Sequence, residues 1–137
     1  MSRLDGCVET AITVSIDHEL LTTIFEGARR LCPRETILLL RGKKKKNMIT
    51  ISELVVPPLA NYGQGFAQIR LHMLPMDFSI VGTAHSHPSG NLSPSPADLN
   101  HFIGVVLMIV GFPFKDEKNV AIYNRAGEKL ALQVPET

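Results

Sequence analysis

His85 and His87 are separated by one serine, and Asp98 lies eleven positions beyond the second histidine. If the apolar run FSIVGTA, residues 78–84, is a strand that continues through Ser86, positions i and i+2 face the same side and both imidazoles aim at one point. Two imidazole nitrogens and a carboxylate oxygen are the donors of a catalytic zinc site, where three protein ligands leave a fourth position for water. Asp98 is the third ligand on this reading. The stretch that must return it, PSGNLSPSPA, has three prolines and one glycine, so it can turn back and keeps little freedom once turned. A plainer reading stands beside it, in which Ser95 caps a helix starting at Pro96 and Asp98 is its third residue. The two are compatible.

A hydrolytic metal also needs a base for its water, commonly a carboxylate outside the coordination shell. Glu35 is the candidate, because it stands at a corner between a helix and an apolar strand expected in the same sheet as residues 78–87. Glu26, Glu53 and Glu117 have no such place. The competing reading leaves Glu35 as decoration at the end of that helix. His18, His72 and His101 lack a partner at ligand spacing and read as surface or helix-face residues, His101 lying three positions past Asp98.

The elements that would position these groups follow from periodicity. VETAITV (8–14) alternates as a short first strand, and Asp17 can cap a helix reaching Leu31, with Leu20, Leu21, Ile24, Ala28 and Leu31 at helical spacing. Pro33 stops it. TILLLR (36–41) is a buried strand closed by Gly42, and Lys43-Lys44-Lys45-Lys46-Asn47 reads as a solvated hairpin tip rather than a basic patch. Strands are further expected at MITISELVV (48–56), FAQIRLHM (66–73), FSIVGTA, GVVLMIVGF (104–112), VAIYN (120–124) and EKLALQV (128–134), with a short helix from Ser95-Pro96 to about Phe102. Asn124 to Gly127 supplies the last turn, Gly127 taking a positive φ. The sum is a single α/β domain over residues 1–137, a mixed, antiparallel-rich sheet flanked by helices.

Composition narrows the partners. At 137 residues and 45% hydrophobic the chain can close one core. Its 14 basic and 13 acidic residues leave a net charge of +1, which gives no field to draw nucleic acid or an anionic membrane. No apolar run reaches the ~18 residues of a spanning helix, and MSRLDGCVET lacks an apolar signal core, so a cytoplasmic protein is expected. Cys7 and Cys32 make neither a CxxC pair nor a framework of bridges and are expected to stay reduced, a Cys7–Cys32 disulfide being the alternative.

The motif resembles the JAMM, or MPN-plus, zinc metalloproteases. Their signature is an upstream glutamate, then His-x-His-Pro, then a serine after seven residues counted from the second histidine, and an aspartate three positions on; here these are His85-Ser86-His87-Pro88, Ser95 and Asp98. The upstream match is PRETILLLRG (33–42), which sets Glu35 on the family's glutamate, and an ending like YNRAGEKLAL is similar to compact archaeal and bacterial members. The chain departs at Leu38, where many relatives carry a small residue, which bears on packing near the site.

The resemblance implies one zinc held by His85, His87 and Asp98, with Glu35 as general base and Ser95 as the hydroxyl that steadies the oxyanion. It implies a cytidine-deaminase-like (MPN/JAMM) architecture and cleavage of isopeptide or peptide bonds after the C-terminus of a ubiquitin-like modifier or sulfur-carrier protein of β-grasp fold. The deaminases' own H-x-E and P-C-x-x-C signature is missing, so base deamination is not supported. Two rival readings remain: a metallopeptidase that trims the C-terminus of a sulfur carrier, and a catalytically inactive scaffold of the same fold, against which the five intact residues argue. An extended substrate tail is expected to pair with a sheet edge near the site, residues 61–72 being the candidate.

Overall fold

A computed structural model describes residues 11–56, 79–100 and 102–135. Strand β1 (Thr13–Ile16) leads into helix α1 (His18–Leu31). Asp17 caps the helix as expected, its carboxylate accepting from Leu20 N at 2.8 Å. Leu21, Ile24, Phe25 and Ala28 recur at helical spacing and form its buried face. The helix ends with Cys32 N donating to Ala28 O, one residue before Pro33. Cys32 is half-buried, and Cys7 lies outside the described residues.

Strands β2 (Ile37–Lys45) and β3 (Met48–Val55) form an antiparallel hairpin. The lysine run corrects the expected turn. Lys43, Lys44 and Lys45 belong to β2 and pair with Thr50, Ile49 and Met48, and the turn shrinks to Lys46-Asn47, where Lys46 has a φ of 57°. Cross-strand pairing satisfies the backbone, and the long side chains stay in solvent, so like charge does not end the strand.

Strand β4 (Ile80–His87) pairs antiparallel with β2 and parallel with β5 (Val106–Gly111). The crossover between β4 and β5 contains the short helix α2 (Pro96–Asn100), which stops before the expected Phe102. Strands β6 (Val120–Tyr123) and β7 (Lys129–Gln133) complete the set. Their connection turns at Gly127, with a φ of 83° as expected. In the order β1-β3-β2-β4-β5-β6-β7 the sheet closes on itself through a parallel β1–β7 pair. Each described strand therefore has a neighbour on both sides. The strand expected at 66–73 and the substrate edge expected at 61–72 lie outside the described residues, as do residues 8–10 of the expected first strand, whose end at Thr13 and Val14 falls in β1.

Alternation along β5 serves two apolar clusters. Met108 and Val110 pack with α1, Val14, Ile16, Leu40, Ile49 and Ile51, whereas Leu107 and Ile109 pack with Phe102, Ala121 and Tyr123, and with Leu92 and Leu99 from the crossover. Leu38 is half-buried against the first cluster. A strand buried on both faces explains why 104–112 reads as a continuous apolar run rather than an alternating one.

Candidate metal centre

Strand β4 runs unbroken to His87, so His85 and His87 share a face while Ala84 and Ser86 face the other way, toward the cluster under α1. The crossover then folds back in small local steps. Gly90 N donates to His87 O at 3.0 Å, Asn91 Oδ1 accepts from Ser93 N at 3.0 Å, and the Tyr123 hydroxyl donates to Leu92 O at 2.7 Å. Ser95 Oγ accepts from Asp98 N at 3.0 Å and Asp98 Oδ2 accepts from Ser95 N at 2.9 Å. This reciprocal cap is the plainer reading of SPAD. It also fixes Asp98 against the histidines, so both readings hold together.

Asp98 Oδ2 is 3.2 Å from His87 Nε2 and Asp98 Oδ1 is 3.9 Å from His85 Nδ1, with all three side chains mostly shielded from solvent. His87 Nδ1–H donates to Asn91 O at 2.7 Å. That bond leaves Nε2 as the nitrogen turned to the carboxylate, the arrangement in which a ligand imidazole is held from behind. His85 Nε2 is buried without a hydrogen-bond partner among the described residues. A buried nitrogen in that state costs free energy unless something occupies its lone pair.

Among the described residues no three acidic, histidine or cysteine side chains form a finished coordination shell; one pair is in contact and a third donor stands beside it. The donor set nonetheless fits zinc. Two donors bound at about 2.0 to 2.1 Å on a tetrahedral ion lie about 3.3 to 3.4 Å apart, close to the 3.2 Å between His87 and Asp98. His85 has a nitrogen to spare.

Glu35 precedes β2. Ile37 pairs with His85 at the start of the strand, two residues after Glu35. Burial raises the Glu35 carboxyl above its usual value, His87 opposes the rise and Asp98 adds to it. The glutamate therefore feels both members of the pair. By contrast Glu26 and Glu117 are exposed, and Glu53 is engaged with Arg41 at 2.9 Å.

The electrostatics of the triad follow from its contacts. Burial lowers His85, with Asp98 opposing. His87 is raised by its hydrogen bond to Asp98, against burial. Burial works against ionising Asp98, yet the His87 side chain, Ser95 N and the two imidazoles together bring it down to about 2. The carboxylate is thus charged and ready to bind a cation at any ordinary pH.

Of the sequence candidates, the fold brings His85, His87, Asp98, Ser95 and Glu35 to one place. His18 is exposed at the start of α1, and His72 and His101 lie outside the described residues. Sequence reasoning missed the supports: Asn91, whose carbonyl holds His87, and Tyr123, whose hydroxyl holds Leu92. Nothing in the local pattern signals a tyrosine bonding across 31 positions.

The fold and donor set define a metalloprotease-like domain, and comparison with known proteins agrees. A family model of prokaryotic homologues of the JAB domain matches residues 17–125, which include all five site residues. A probable metalloprotease of Haloferax volcanii is 31% identical over 128 residues, covering 88% of this chain and 79% of that one. A solved structure of the JAMM metalloprotease-like zinc site in the proteasome and signalosome is 35% identical, covers 93% of this chain and 100% of that one, and superposes with a TM-score of 0.64. A JAB1/MPN domain protein from Archaeoglobus fulgidus is 34% identical, over 90% of this chain and 98% of that one, with a TM-score of 0.62. The chain belongs to the JAMM family, among the prokaryotic homologues of the JAB domain.

Proposed function

We propose that this protein is a zinc-dependent isopeptidase or peptidase that cleaves after the C-terminus of a ubiquitin-like small modifier. The observation that carries the reading is the His87–Asp98 contact at 3.2 Å beside the unpartnered His85 Nε2, with Glu35 within electrostatic reach of both His87 and Asp98. His85, His87 and Asp98 would hold one zinc per chain. Bound zinc supplies Lewis acidity, bringing the pKa of its water to about 7 and polarising the scissile carbonyl.

The rest is done by the chain. The Glu35 carboxylate accepts a proton from the attacking water and delivers it to the leaving amine nitrogen, a transfer favoured by its raised pKa. Ser95 Oγ already accepts from Asp98 N, which leaves its O–H free to donate to the developing oxyanion. Asn91 O and Ser95 N hold His87 and Asp98 in place. The substrate class, a β-grasp modifier or sulfur carrier with a slender tail, is supported by family membership. No described helix is long and apolar enough to cross a membrane.

Elemental analysis combined with incubation of a lysine-linked ubiquitin-like conjugate tests the proposal. About one zinc per chain and cleavage abolished by chelator are expected; a chain that takes up no zinc, or cleaves equally well in chelator, overturns it. The masses of the products separate isopeptide cleavage from trimming of a sulfur carrier.

A further inference from the structure

Ser86, between the two histidines, faces away from them and is 0% exposed. A hydroxyl buried against an apolar cluster must find a partner. Ser86 Oγ accepts from Thr36 N at 2.8 Å, and Ser86 N donates to Thr36 O at 3.2 Å. One residue thus grips both backbone groups of Thr36. In a regular antiparallel pair Thr36 N–H would donate to the carbonyl of Ser86; here the hydroxyl receives it. Regular pairing of β2 with β4 begins only one step later, at Ile37 and His85. The chain therefore leaves the sheet at Thr36 along a direction set by a side chain, and Glu35 is the next residue out.

Among the described residues Glu35 has no other anchor: no hydrogen bond reaches its carboxylate, and its ties to His87 and Asp98 are through charge alone. Its position is inherited from the backbone that Ser86 holds. We infer that Ser86 is a positioning residue, whose hydroxyl fixes Thr36 and thereby sets where the Glu35 carboxylate stands relative to the His87–Asp98 pair. This rests on the reading of Glu35 as the proton carrier. It also gives the middle residue of His-x-His a task distinct from metal binding: His85 and His87 face the metal while Ser86, one step out of phase, aligns the base.

Ser86→Ala removes the acceptor while leaving the ligands, and Ser86→Cys keeps the volume with a much weaker acceptor. Both are expected to retain the wild-type zinc content and a KM within about twofold, while kcat falls about ten- to a hundredfold, since a displacement of about 1 Å is enough for such a loss. Ser86→Thr, which keeps the hydroxyl, is expected to recover most of kcat. A second readout needs no turnover: exchange of the Thr36 amide proton in the metal-free protein should speed up at least about tenfold in Ser86→Ala. The inference is overturned if Thr36 exchange is unchanged, or if kcat stays at the wild-type level with that amide released. A loss of kcat, zinc and thermal stability together would mean a merely structural serine. Should the wild type bind zinc and cleave nothing, the functional reading fails, and Thr36 exchange still decides the clamp.

Discussion

His87 Nε2 and Asp98 Oδ2 are 3.2 Å apart, one on the end of a central strand and the other in the first turn of a five-residue helix. Their contact makes the charge state of each depend on the other. Asp98 keeps its negative charge down to about pH 2 in the folded chain, against an ordinary value of 3.8. A group whose folded value is depressed contributes stability above its unfolded value and loses it as pH falls through the folded one. Metal-free wild type should therefore exceed Asp98→Asn in urea midpoint by a margin that is fullest between about pH 4 and 6, vanishes near pH 2, and shrinks again as pH rises through the raised His87 value and the imidazole loses its charge. Asparagine preserves the cap, so charge is what differs. A margin independent of pH across this range would refute the pair.

Zinc uptake should follow the opposite partner. His87 is raised above 6.5 in the metal-free chain by Asp98, so near neutrality zinc must displace a proton from it. Affinity is expected to climb by up to about tenfold per pH unit as pH rises toward the His87 value, with proton release visible when the buffer is varied in calorimetry. A flat affinity between pH 5.5 and 7.5 would count against His87 as a ligand.

Glu35→Gln keeps shape and removes the base. Zinc content should match the wild type, and kcat should fall about a hundred- to ten-thousandfold. Turnover at the wild-type rate would remove Glu35 from the mechanism.

Ser95 has two jobs that one variant can expose. Its Oγ caps α2, so Ser95→Ala should cost about 1 kcal/mol of stability, and losing the donor should lower kcat about a hundredfold or more. Ser95→Thr should restore both. Recovery of stability without rate would assign the hydroxyl to the cap alone.

The Tyr123 hydroxyl reaches Leu92 O from β6 and so tethers the loop that delivers Asp98. Removing it in Tyr123→Phe should cost about 1 kcal/mol and weaken zinc severalfold, leaving Glu35 and the histidines in place. Equal zinc affinity in the two proteins would show that the loop holds itself.

Much of this architecture could be read from residue pattern. Asp17 announces α1 because its carboxylate competes for a free helix N–H, and that signal is local. The continuous apolar run into His85 announces a doubly buried strand, and the His-x-His spacing follows from a period of two. What escaped depends on partners distant in sequence. Ser86 is an ordinary serine until Thr36, 50 positions away, is laid beside it. The lysine run misled for a related reason: charge argues for solvent, and the outward side chains of a paired strand reach solvent without a turn. Phe102, the expected end of α2, is instead claimed by the second apolar cluster.

Because β4 pairs with β2 as far as His85 and with β5 as far as His87, the two imidazoles stand on a platform that opens only with the sheet. Asp98 belongs to a short, largely exposed helix with its own cap and with Leu99 packed on the second apolar cluster, and Tyr123 tethers the loop before it. An ion bound here would therefore leave and enter by its carboxylate side: moving Asp98 away takes a rearrangement of a few residues, whereas moving the backbone under His85 takes the unzipping of a sheet.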